Sequence, residues 1–171
     1  MAVLSSIAQR KKLEYFFSKI PKSAKILEIG CADGWVGNWA VSRGWKNFVG
    51  IDIIDSGSKY PHPFIHGDIN KWRELGLKKE SFDVIIAFEV VEHGDFYDAM
   101  HDLLKPGGKL FATTPVPHMD WLCKTFEAFH LNQRRSSPHT HLIYLKDVPR
   151  FKLEKRQIKA TMSQWGELVR D

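Results

Sequence analysis

Two stretches of this chain carry residue types whose spacing suits chemistry. In Ile26-Leu-Glu28-Ile-Gly30-Cys31-Ala32-Asp-Gly34, an apolar run ends in a cluster of small residues. Glycines in such a turn permit left-handed backbone and close approach of a ligand. Asp52 ends Gly-Ile-Asp, 22 residues after Gly30, about where an acid grips ribose hydroxyls in open nucleotide-binding sheets. The second stretch is Glu89-Val-Val-Glu92-His93. In a helical turn Glu89 shares a face with Glu92 and His93, three and four residues on. Two carboxylates and an imidazole converging there suit a divalent cation, or general-base work on a hydroxyl nucleophile.

The elements that must position these groups follow from periodicity. The pattern predicts strands at 25–30 and 47–53 around a helix at 35–43, the opening unit of an α/β nucleotide-binding sheet. A third strand is Pro63–Gly67, followed by a helix over 70–76 that includes Trp72. Phe82–Phe88 is an apolar run bounded by charge, as expected of a buried parallel strand. A helix near 95–104 ends at the turn Lys105-Pro-Gly-Gly108, and strand Lys109–Thr114 is closed by Pro115 and Pro117. The expected fold is α/β and Rossmann-like: a mostly parallel, doubly wound sheet with flanking helices.

Only about ten residues, including Gly57, Pro61 and Pro63, connect strands 2 and 3. A parallel crossover normally takes a dozen or more. The shortened connection therefore predicts that the usual helix is lost or reduced to a turn, leaving one sheet face less covered. Residues 4–19 place Leu4, Ile7, Leu13, Phe16 and Phe17 at helical spacing, with Ile20 beyond them and Arg10, Lys11 and Lys12 between. Residues 151–163 read as a sixth strand, and the last residues do not place a seventh. Its lysines and arginines either guard a sheet edge or contact phosphate.

The order Glu28-x-Gly30-x-x-x-Gly34 resembles motif I of the class I S-adenosylmethionine-dependent methyltransferases, with Ala32 where those proteins usually have glycine. Gly67-Asp68-Ile69, the strand ending in Phe88 before Glu89, and "LLKPGGKLFATTP" resemble later motifs in the same order, covering about residues 24–117. The resemblance implies S-adenosylmethionine as cofactor. It implies binding by Glu28, Gly30, Cys31, Ala32, Gly34, Trp35, Asp52, Ile53, Asp68, Ile69 and Phe88. Asp68 also reads as a helix cap. Glu89, Glu92 and His93 would face the acceptor as catalytic groups.

The Glu-x-x-Glu-His order is similar to two groups. Ubiquinone-type O-methyltransferases act on small molecules. Small-RNA 2′-O-methyltransferases use such a set with a later histidine to hold magnesium or manganese, and here Glu89, Glu92, His93 and His141 (or His139) would be the ligands. O-methyl transfer to a small or sugar-like molecule is the leading expectation. Metal-dependent RNA methylation and a non-catalytic cofactor- or partner-binding protein stand as alternatives.

At 171 residues the expected organisation is one domain: an N-terminal helix (1–20), a cofactor-binding core (24–117), and a lid with the sheet edge (118–171). Two cysteines, Cys31 and Cys123, make no disulfide framework or zinc spacing, so a cytoplasmic setting fits. Cys31 reads as a small packing residue. No signal-peptide pattern or membrane-length apolar run is present in the sequence. A net charge of +5 permits an anionic partner without requiring one.

Overall fold

Strand β1 (Ile26–Ile29) is buried along its whole length, and the other strands are arranged around it. The computed structural model describes residues 2–55, 59–119, 142–159 and 162–171. In chain order these form α1 (Ala2–Phe17), β1, α2 (Trp35–Ser42), β2 (Phe48–Asp52), β3 (Phe64–His66), β4 (Phe82–Phe88), α3 (Tyr97–Leu103), β5 (Leu104–Pro115), β6 (Phe151–Lys159) and β7 (Ser163–Arg170). The sheet order is β3-β2-β1-β4-β5-β7-β6. β1 to β5 run parallel, and β7 pairs antiparallel with both β5 and β6. This is the expected doubly wound, Rossmann-like sheet. The order reverses between β1 and β4, and the carboxyl ends of those strands form the crevice where such sheets bind ligands.

The core lies on both faces of the sheet. One side packs Leu27, Ile29, Ile85 and Ala87 on Met100, Leu103 and Trp72. The other packs Ile26, Ile86 and Phe111 on Phe16, Phe17 and Ala40. Burying Phe16 and Phe17 at 0% and 1% exposure contributes about 2–3 kcal/mol each. It holds the second half of α1 on the sheet, whereas Ile7 stays 46% exposed. Leu4 lies where only backbone is described. Tyr15 Oη donates to Glu167 Oε1 of β7 at 2.7 Å, and Lys19 pairs with the same carboxylate. No described helix is long and apolar enough to cross a membrane.

Several expected boundaries shift for physical reasons. The helix expected over 70–76 is only a 3-10 turn, Ile69–Lys71. Asp68 Oδ1 accepts the Asn70 amide at 2.9 Å, Trp72 N bonds back to Ile69 O, and Gly76 turns left-handed at φ 74°. Among the described residues between β2 and β3 there is no α-helix, and Lys59 has 3-10 geometry, in keeping with a helix lost or reduced to a turn. The face is nevertheless not left bare. Tyr60 is 7% exposed, and His62 stacks on Phe48 at 5.1 Å. β5 reaches back to Leu104 through an irregularity in its pairing with β4. The unplaced seventh strand is β7, inserted between β5 and β6. That leaves β6 as the edge, where Lys152, Lys155, Arg156 and Lys159 are exposed, an arrangement that discourages edge pairing.

Candidate functional site

The turn after β1 is held in a conformation that most side chains resist. Gly30, Ala32 and Gly34 have φ of 69°, 43° and 78°. A Cβ on Gly30 would sit 2.5 Å from Val90 Cγ2, so this position requires glycine. Ala32 pays the steric cost of left-handed backbone, and its amide is met by Asp52 Oδ2 at 2.8 Å. Asp52 Oδ1 accepts the Ile54 amide at 2.9 Å. Asp52 thus joins the ends of β1 and β2. Each oxygen keeps a second lone pair that can accept from a ligand hydroxyl. Beside this buried acid, Ile53 is 72% exposed, an apolar surface open to a flat ring.

Glu28 lies beneath the turn and is 3% exposed. Its Oε2 accepts from Tyr60 Oη at 2.6 Å. Burial, with smaller contributions from Asp52 and Asp33, pushes its carboxyl up to about 8 against the opposing pull of the Tyr60 hydroxyl. Burial also raises the Cys31 thiol, with Glu28 and Asp52 adding to it. Cys31 is buried at 1% exposure within the core cluster, a setting that disfavours the thiolate. Asp68 is half-buried and caps the turn through the Asn70 amide; Ile69 is part of the core. Phe88 packs on Phe16 at 5.0 Å and lies 6.4 Å from the partly buried Trp35.

Glu89, Glu92 and His93, the expected catalytic groups, do not lie on a helix. Glu89 adopts φ 55°, and its amide donates to Thr113 O at 2.8 Å. This turns the chain sharply at the end of β4. Glu89 Oε1 accepts from Lys12 Nζ and from Thr113 Oγ1, both at 2.8 Å. Lys12 Nζ also reaches Thr113 Oγ1 at 3.3 Å and sits 5.5 Å over the Phe88 ring. Glu92 turns inward at 1% exposure. Burial first, and the Glu89 charge second, raise its carboxyl to about 8, and its Oε2 has no hydrogen-bond partner among the described residues. His93 is half-buried, its amide bonded to Val90 O at 2.9 Å. The expected shared helical face of Glu89, Glu92 and His93 is thus corrected: the left-handed turn at Glu89 points its side chain toward α1 and Glu92 into the interior.

No three histidine, cysteine or acidic groups converge as a cation site among the described residues. The expected ligands His139 and His141 lie outside them. The structure adds Lys12, Thr113 and Tyr60 to the groups around the crevice. Lys12 is four residues before the buried Phe16 and so shares its helical face, a signal present in the sequence. Its pairing with Glu89, 77 positions away, is not.

Two buried carboxyls with raised pKa values have a stability consequence. Unfolded glutamate titrates near 4.3, so between about pH 4.3 and 8 the folded state binds more protons than the unfolded state, and stability falls as pH rises. The melting temperature is expected to fall across this window. Glu28→Gln keeps an acceptor for Tyr60 and removes the ionisation. It should flatten the fall and melt about 2–4 °C higher than the parent at pH 8, for about 1 kcal/mol. A melting curve identical to the parent at each pH counts against a protonated Glu28.

Comparison with known proteins gives consistent matches. The sequence model of a methyltransferase domain family matches residues 6–149. The human mitochondrial ubiquinone biosynthesis O-methyltransferase is 33% identical over 105 residues, covering 53% of this chain and 28% of that protein. The chain therefore spans well under half the length of this curated relative. Among solved structures, an S-adenosylmethionine-dependent methyltransferase from Mesorhizobium loti superposes with TM-score 0.65 at 18% identity, covering 92% of this chain and 98% of that one. The N-methyltransferase NodS from Bradyrhizobium japonicum, solved with S-adenosylhomocysteine, gives TM-score 0.65 at 18% identity over 96% and 86%. At these identities the structures show a shared fold.

Proposed function

This chain belongs to the methyltransferase domain family, and from that membership we propose that it transfers a methyl group from S-adenosylmethionine to an oxygen of a small-molecule acceptor. The observation that carries the cofactor assignment is Asp52. It is a buried acid that holds Ala32 in a left-handed turn through one oxygen and the amide after Ile53 through the other, beside an open apolar surface. Gly30 and Gly34 give the methionine end close access to backbone, Asp52 takes the ribose hydroxyls, and Ile53 with the Asp68–Ile69 backbone flanks the adenine. Cys31, Trp35 and Phe88 pack behind the turn.

The donor supplies a methyl carbon already activated by a positively charged sulfur, so the protein's work is alignment and proton removal. Glu92 is buried, but its Oε2 has no partner among the described residues; an acceptor hydroxyl that reaches this oxygen from the crevice gives it its proton, as the oxygen lone pair forms its bond to the methyl carbon and the carbon–sulfur pair returns to sulfur. A carboxyl raised toward working pH is matched to that task. Glu89, His93 and Lys12 line the acceptor side, where the Lys12 ammonium orients Glu89. The resemblance at Glu89–His93 to oxygen methyltransferases supports oxygen as the receiving atom. The engagement of Glu89 with Lys12 favours this reading over the cation-dependent RNA one.

The test is calorimetric titration with S-adenosylhomocysteine, with and without magnesium or manganese. Micromolar binding that ignores the cations is expected. Binding that appears only with a cation moves the assignment to the RNA reading. No binding under any condition favours a non-catalytic protein on this fold.

A further inference from the structure

In the connection between β2 and β3, one described side chain reaches back over the sheet. Tyr60 precedes Pro61, and its ring fills a slot whose walls are three glycines from three elements. A Cβ on Gly50 of β2 would lie 2.4 Å from Tyr60 Cε1, one on Gly37 of α2 would lie 2.9 Å from Cε2, and one on Gly34 of the turn would lie 3.2 Å from Cδ2. No larger residue fits any of these walls without moving the ring. At the end of the slot the hydroxyl donates to Glu28 Oε2 at 2.6 Å, on β1. One residue therefore touches β1, the turn, α2 and β2, which together make the cradle.

We propose that Tyr60 is a positioning residue for S-adenosylmethionine binding, acting through Glu28 to hold the turn Gly30–Gly34 in its ligand-accepting shape. The inference rests on the cofactor reading above. Glu28 is enclosed by Asp52 from β2, Asp33 and Cys31 from the turn, and Tyr60 from the connection. The acids and burial disfavour its charge, and among these neighbours Tyr60 is the group that favours it. Tyr60 thus sets both the place and the ionisation of the carboxyl beneath the turn.

The test is S-adenosylhomocysteine affinity of the full chain, by calorimetry from about pH 6 to 9.5, a range that brackets a raised carboxyl. Tyr60→Phe keeps the ring in its slot and removes the hydroxyl. Its affinity is expected to fall about tenfold, which is about 1.4 kcal/mol, and the inflection in its pH dependence to move upward. Gly50→Ala keeps the hydroxyl but displaces the ring, and should also weaken binding; it stands in should Tyr60→Phe fail to fold. In Glu28→Gln the further loss from Tyr60→Phe should shrink, because the two residues act as one unit. Unchanged affinity and inflection in Tyr60→Phe, or a loss fully additive with Glu28→Gln, overturns the proposal. Absence of binding by the parent protein instead overturns the cofactor reading itself.

Discussion

Asp52→Ala is expected to weaken S-adenosylhomocysteine binding by about 100-fold, or about 3 kcal/mol. Part of the loss is direct, because alanine offers ribose no acceptor. Part is structural. The carboxylate meets the amides of Ala32 and Ile54 at 2.8 and 2.9 Å, and hydrogen bonds to a charged group contribute about 1.5–3 kcal/mol each. Without its partner, Ala32 at φ 43° has little reason to stay left-handed, a state costing about 1–2 kcal/mol. The turn then relaxes away from the shape that admits the ligand. Asp52→Asn retains an acceptor for one amide and should lose about tenfold, between the parent and alanine. Calorimetry checks both. Parental affinity in Asp52→Ala would place the ribose elsewhere and remove the main support for the cofactor assignment.

Turnover should depend most on Glu92. Glu92→Gln preserves volume in a site that is 1% exposed, so the protein should fold and bind S-adenosylhomocysteine within about threefold of the parent. Its methyl transfer should fall by about 10²–10³-fold, the usual contribution of a positioned base. The sign of the pH dependence follows from the raised carboxyl. A base works when ionised, so parental activity should climb as pH rises through about 8, and the variant should lose that limb. The assay follows labelled methyl transfer from S-adenosylmethionine to a panel of hydroxylated aromatics and sugars. A glutamine variant with parental rates and an intact limb would show that another group removes the proton, and His93 would then be the next substitution.

These two residues differ in how they can be recognised. Asp52 is readable from a line of sequence, because a strand, a tight turn, a helix and an acid at the next strand end form a local pattern with fixed spacing. Glu92 is readable as a residue of interest, but its burial is not. The Glu-x-x-Glu-His order suggests a helical turn with both acids on one face. The chain instead turns left-handed at Glu89, where the backbone answers to Thr113 O on a strand more than twenty positions later. A helical spacing argument holds only where the backbone is helical. The helix expected at 70–76 fails for a related reason, since a capped 3-10 turn and a buried Trp72 use those residues before a second α-turn forms.

The amino-acid sequence by itself determined the parallel strands, their order along the chain, the glycine turn and Asp52, and the short connection between β2 and β3, which has no α-helix among its described residues. These depend on apolar runs, backbone freedom and chain length, which act over a few residues. Tertiary structure alone decided which distant side chains meet. β7 enters between β5 and β6 and offers Glu167 to Tyr15 and Lys19; that contact, with the burial of Phe16 and Phe17, seats α1. Only a seated α1 brings Lys12 to Glu89 and Thr113, and only three glycines drawn together from separate elements open the slot that aims Tyr60 at Glu28. Such meetings are set by close packing across the whole sheet, and no spacing within one element encodes them.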